Sequence, residues 1–174
     1  DFNIATINQS IGNAPNPPGG PDPRVATATI NQSGDDNDST INQNGPGTNT
    51  ISARLMTATS TQTGDDNDST ITQTNTGLAA SAASNTATVT QNGDNNESDV
   101  NQNGTLLGAT VLQNGNDSDS TVIQSGTGSD AFVTQTGSGQ SASTTQSGAD
   151  NLSTITQSEV NNAATVVQDG EGNT

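Results

Sequence analysis

One glutamine returns every eleven residues over the C-terminal half of the chain, at Gln91, Gln102, Gln113, Gln124, Gln135, Gln146, Gln157 and Gln168. So short and regular a repeat restricts the fold to a stack of near-identical units. Four residues before each glutamine stands a small residue: Ala87, Ser98, Ala109, Ser120, Ala131, Ala142, Ser153 and Ala164. Two before it stand Val89, Val100, Val111, Val122, Val133, Thr144, Ile155 and Val166, and glycine usually follows two residues after. Positions two apart lie on one side of a β-strand, so small residue, branched residue and glutamine share one inward face. Each repeat therefore predicts about seven residues of strand and about four of turn.

The series begins earlier, at Gln9, Gln32, Gln43, Gln62 and Gln73. Gln32 to Gln43 and Gln62 to Gln73 are again 11 residues, whereas Gln9 to Gln32 is 23, Gln43 to Gln62 is 19 and Gln73 to Gln91 is 18. Extra residues thus enter only after every second strand, which makes the unit 22 residues and two strands with all excursions on one edge. The expected fold is an all-β solenoid of about six and a half turns, stacking into cross-β fibre and roughly 30 Å tall at about 4.8 Å per strand. Along the chain this gives an N-terminal strand in 1–12, a Pro-rich linker in 13–24 and the solenoid in 25–174, with insertions near 44–55 and 74–84. The linker carries Pro15, Pro17, Pro18, Pro21 and Pro23, which lack the N–H a ladder needs.

Composition alone points elsewhere: 25% hydrophobic residues, 1% aromatic and a net charge of -16 describe a disordered polymer. A solenoid escapes that outcome because stacked Asn and Gln amides hydrogen-bond along the stack in place of an oily core. The predicted ladder residues are the thirteen glutamines of the series together with Asn3, Asn37, Asn67, Asn85, Asn96, Asn151 and Asn162, each six residues before a glutamine.

The residue inventory narrows function. Cys, His, Lys, Trp and Tyr are absent, which removes disulfides, ordinary zinc sites and the usual nucleophile and base pairs, and points away from an enzyme or a bound cofactor. Arg24 and Arg54 are the only cations, too few to displace the counterions of a nucleic acid. No segment is long and apolar enough for membrane insertion. The chain starts at Asp1 without a basic-then-apolar leader, so the expectation is an extracellular protein whose signal peptide has been removed.

Two outward patterns leave alternatives open. Asp35, Asp65 and Asp94 form one column three residues after a glutamine, and Asp38, Asp68, Glu97 and Asp119 another six after it, on the edge opposite the insertions. Such stacked carboxylates either invite relief by protonation or weak calcium binding, or form a solvated edge that keeps fibres from bundling. The residues three and one before each glutamine are often threonine, as in Thr59 and Thr61, Thr70 and Thr72, Thr88 and Thr90, and Thr154 and Thr156. They suit either an ordinary exposed strand face or a flat ice-binding or surface-adhesive array, which Asn31, Asn42, Asp99, Leu112, Ile123, Phe132 and Val167 interrupt. Asn-x-Ser/Thr sequons, such as those at Asn8, Asn31, Asn103 and Asn116, are expected by chance in so Asn- and Thr-rich a chain.

The segments Asn85 to Gln102, with Gln91, Gly93, Asn96, Ser98 and Gln102, and Ser129 to Gln146, with Gln135, Gly137, Gly139, Ala142 and Gln146, resemble the curlin repeat of bacterial curli fibres. In place of that repeat's second glycine this chain usually carries Asp36, Asp66, Asn95 or Asp117, and serine often stands for its alanine. The resemblance implies a secreted subunit of a functional amyloid, a head-to-tail homopolymer in biofilm matrix or on the cell surface, with accessory secretion and nucleation proteins as partners. It also implies that an N-terminal segment addresses the subunit to an outer-membrane channel, a role for which residues 1 to 24 are placed although they match no motif of it. The N-terminal strand has two possible docking sites, its own solenoid or the open end of a neighbour, and the proline-rich tether favours the neighbour.

Overall fold

A computed structural model describes residues 2–10, 24–45, 54–76 and 83–174, and in them every regular element is a β-strand. The strands are β1 (Ile4–Ser10), β2 (Arg24–Ser33), β3 (Asp38–Asn44), β4 (Arg54–Thr63), β5 (Asp68–Asn75), β6 (Ala83–Asn92) and β7 (Glu97–Thr105). They continue with β8 (Gly108–Asn114), β9 (Asp119–Thr127), β10 (Asp130–Ser138), β11 (Ser141–Ala149), β12 (Leu152–Val160) and β13 (Ala163–Glu171). Odd-numbered strands form a seven-stranded sheet in the order β1-β3-β5-β7-β9-β11-β13, and even-numbered strands form a six-stranded sheet from β2 to β12. All pairings are parallel and in register, so each glutamine of the series faces the next one in its sheet: Gln43 opposite Gln73, Gln91 opposite Gln113, Gln146 opposite Gln168. The described residues thus form an all-β solenoid of thirteen parallel strands in two stacked sheets, as the period predicted.

Alternating burial along each interior strand follows from the two-residue period. In β5, Ser69, Ile71, Gln73 and Asn75 are buried while the residues between them face outward. Between the sheets the core is a stripe of Ile41, Ile71, Val89, Val100, Val111, Val122, Val133 and Ile155, flanked by Ala58, Ala87, Ala109, Ala131 and Ala142. Beside it the glutamines from Gln43 to Gln157 are buried, while Gln9, Gln32 and Gln168 on the end strands are not.

The turns explain the departures from glycine. Asp36, Asp66, Asn95 and Asp117 adopt φ values of 54°, 56°, 55° and 56°, the left-handed conformation that Asp and Asn tolerate best after glycine. Two positions earlier, at Gly93, φ is +125° and an added Cβ would lie 2.1 Å from the carbonyl oxygen of Gly115 in the next turn, so only glycine fits. Most of the predicted Pro-rich linker in 13–24 and of the insertions near 44–55 and 74–84 lies outside the described residues.

One expectation needs correction. β1 does not project toward a neighbour: it pairs with β3 of its own chain from Ile4 opposite Asp38 to Ser10 opposite Asn44. Its pattern is that of every other odd strand, so it completes the near end of its own sheet.

Candidate functional site

The glutamines form two unbroken files, one per sheet. In the seven-stranded sheet Nε2 of Gln9 donates to Oε1 of Gln43 at 2.8 Å, and the chain of bonds continues through Gln73, Gln102, Gln124, Gln146 and Gln168 at 2.8–3.0 Å. In the other sheet Gln32, Gln62, Gln91, Gln113, Gln135 and Gln157 are joined in the same way at 2.9–3.1 Å. Every amide points one way, from the N-terminal turn to the C-terminal turn. Backbone oxygens fix that direction: Nε2 of Gln124 also faces the carbonyls of Gly108 and Ser129, both at 2.9 Å, which accept and cannot donate. Each interior amide joins its rung to the next and ties the two sheets together.

Asparagines six residues before glutamine split into separate groups rather than one file. Asn3, Asn37, Asn67 and Asn96 are linked, each later Nδ2 donating to the earlier Oδ1 at 3.0–3.1 Å, in the direction opposite to the glutamines. Ser118 ends that run by donating its backbone N–H to Oδ1 of Asn96. Asn85 receives the N–H of Leu107, and Asn151 receives the N–H and Nδ2 of Asn173. Asn162 is exposed just before the last strand and bonds the carbonyl of Ser158. Asn173 was missed in the sequence because no glutamine follows it at the usual distance.

Buried serines behave differently. Ser39, Ser69, Ser98 and Ser120 occupy successive rungs of one inward column, and their hydroxyls have no hydrogen-bond partner. Stacked hydroxyls one strand spacing apart, about 4.8 Å, are too distant to bond one another.

The two acidic columns are chemically distinct. Asp65 and Asp94 each accept the backbone N–H of the preceding aspartate in their column, from Asp35 at 2.8 Å and Asp65 at 3.0 Å, and Asn116 accepts that of Asp94. These carboxylates act as turn braces. Asp38, Asp68, Glu97 and Asp119 stand opposite one another on the outward face of the seven-stranded sheet. Burial, then the charges of Asp38 and Asp99, push the Asp68 carboxyl above its ordinary range, and burial alone does the same for Asp99. Among the described residues no three acidic side chains converge as a metal site.

The threonines are sorted by sheet. On the six-stranded sheet Thr29, Thr59, Thr88 and Thr110 form an in-register column, bordered by Thr61 and Thr90, before Phe132 interrupts it. The corresponding column of the other sheet is broken by Asp99.

In the described residues two buried amide files run the length of a solenoid whose parallel strands stack in register. The curlin associated repeat matches residues 93–126 and 126–158 by its family model, so this span is built of curlin-like repeats. The same registered pattern extends from β1 to β13, on both sides of the matched span. No curated protein and no solved structure matches the chain.

Proposed function

We propose that this chain is the structural subunit of an extracellular fibre that grows end to end in a biofilm matrix or on the cell surface, after export and nucleation by accessory proteins. The observation that carries this reading is the complementarity of the two ends. Each file keeps one direction from its first to its last described glutamine, so Gln157 and Gln168 at one end have the donor orientation, and the glutamines at the other end the acceptor orientation, that another rung requires. The edge strands also expose rows of backbone donors and acceptors that a second copy satisfies. Incubating purified protein and imaging it by negative stain tests the reading. Long unbranched fibres with a meridional reflection near 4.8 Å are expected, and persistent monomers at high concentration oppose it.

The threonine column of the six-stranded sheet supports a second reading, a surface-adhesive or ice-binding face. Thermal hysteresis from monomers, lost on replacing Thr59 and Thr88 by Lys, is its expected sign.

A further inference from the structure

Among the described residues the two sheets hold unequal numbers of strands, seven and six. A copy stacked on another along the solenoid axis must advance both sheets by the same distance. If its β1 sat on β13 of the copy below, the advance would be seven strand spacings and the smaller sheet would lack one strand between β12 and the next β2. That gap would leave two edges of backbone groups unpaired. If its β3 sits on β13 instead, the advance is six spacings, about 29 Å, and β2 lands on β12 without a gap. Gapless growth therefore needs one end strand of the larger sheet to give way, and when β1 does so it frees the edge of β3 that it covers in the single chain.

We propose that β1 is a displaceable cap, holding on β3 the place that β13 of a second copy takes during assembly. This rests on the fibre reading above and adds to it a step that limits growth. β1 and the residue before it present Asn3, Ala5, Ile7 and Gln9 on the inward side, and β13 and the residue before it carry Asn162, Ala164, Val166 and Gln168 at the same spacing. On β3, Gln9 donates to Oε1 of Gln43 at 2.8 Å, and Oδ1 of Asn3 accepts from N and Nδ2 of Asn37 at 3.0 and 3.1 Å. Gln168 and Asn162 carry the same groups at the same positions. Charge does not oppose the exchange: in the outward column Ala163 of the incoming strand meets Asp38 where Ile4 did, so no carboxylate is set against another.

β1 is also the more weakly held of the two neighbours of β3. Ile7 is 46% exposed where Ile41, its partner on β3, is fully buried. Among the described residues it has a strand on one side only, and the covalent link through Asn13 to Arg24 keeps it attached to the chain when it comes off.

The test compares three proteins: the full chain, a chain lacking residues 1–12, and a Thr6→Cys/Thr40→Cys variant that bridges β1 to β3 through outward-facing Cα partners in a chain with no other cysteine. Adjacent strands lie within the Cα separation a disulfide spans. If β3 is uncovered in about one chain in ten, the truncated chain elongates seeds about tenfold faster than the full chain. The oxidised variant elongates them at least tenfold more slowly than the same variant after reduction. Equal or slower growth of the truncated chain, or growth of the variant that ignores its redox state, overturns the cap. Absence of fibres from all three proteins, seeded or not, overturns the fibre reading on which it stands.

Discussion

Thr144 Oγ1 and Ser153 Oγ lie 3.2 Å apart in the buried core, bridging β11 of one sheet and β12 of the other. Thr144 is the one threonine in the column otherwise held by Val and Ile, and Ser153 the one serine in the alanine column of the six-stranded sheet. The two exceptions answer each other, because a buried hydroxyl is tolerated where a second hydroxyl faces it.

Replacing Thr144 by Val should destabilise the solenoid by about 1–3 kcal/mol, since the Ser153 hydroxyl then stays buried without a partner. Adding Ser153→Ala should recover most of the loss. Denaturant unfolding of both singles and the double checks this, and additive losses would show that the pair is not coupled.

The column of Ser39, Ser69, Ser98 and Ser120 predicts the opposite sign. Their hydroxyls have no partner, so Ser98→Ala should stabilise the fold, by about 1 kcal/mol, with no change in the strand register. Ala142 already occupies this column two rungs further on, which shows that the smaller side chain fits. A loss of stability in Ser98→Ala would mean the hydroxyls are bonded after all.

Gln113 accepts from Gln91 and donates to Gln135 and to the carbonyls of Glu97 and Ser118. Gln113→Ala should cost about 1–3 kcal/mol for each buried group left unpaired and slow fibre growth, whereas Asn114→Ala, on the outer face, should do little. Equal growth rates of the two variants would remove the glutamine files from any part in assembly.

Protonation should favour the folded stack. Asp68 and Asp99 have folded-state pKa values above the ordinary 3.8, so the folded chain takes up protons more readily than the unfolded one. Stability then rises as pH falls through the folded values toward 3.8, is fully gained below it, and is lost again as pH rises through that window. Unfolding midpoints measured between pH 7 and pH 4 should increase on acidification, and an Asp68→Asn/Asp99→Asn variant should be more stable at pH 7 with a flatter profile. A midpoint that falls steadily on acidification would reverse the sign and sink the account.

Gly93→Ala should destabilise the chain by about 2–4 kcal/mol, because its Cβ would meet the carbonyl of Gly115 at 2.1 Å in a turn with φ of +125°. Thermal melts report it, and an unchanged melting temperature would mean the neighbouring turns separate freely.

Much of this was legible in the sequence for a simple reason. The spacing of Gln91 through Gln168 fixes both the strand length and which residues point inward, since an alternating chain has two faces and one of them must be buried. The two-strand unit put alternate strands in separate sheets, yet the outward residues were not sorted by sheet. Thr88 and Thr70 belong to different faces, so a threonine array that reads as one interrupted set is in fact a fuller column on one sheet and a broken one on the other. The direction of the amides was hidden as well, because it depends on backbone carbonyls such as Gly108 and Ser129 that carry no residue signature. The place of β1 was ambiguous for a deeper reason: its inward set matches that of β13, so the pattern that qualifies it to bind a neighbour equally qualifies it to bind its own chain.

Strand pairing in this coil takes no account of how many residues separate the partners. Gln9 and Gln43 are 34 residues apart, Gln43 and Gln73 30, Gln73 and Gln102 29, and Gln102 and Gln124 22, yet each pair meets in the same register. The surplus always leaves from the edge that follows an odd strand, while the opposite edge keeps its short aspartate and glycine turns. The molecule is therefore bound like a book: one margin is a spine of fixed gauge, and the other can be cut to any width without losing the page order. Peptides grafted at that free margin would be carried as cargo on one side of the stack, evenly spaced and out of the way of both docking ends.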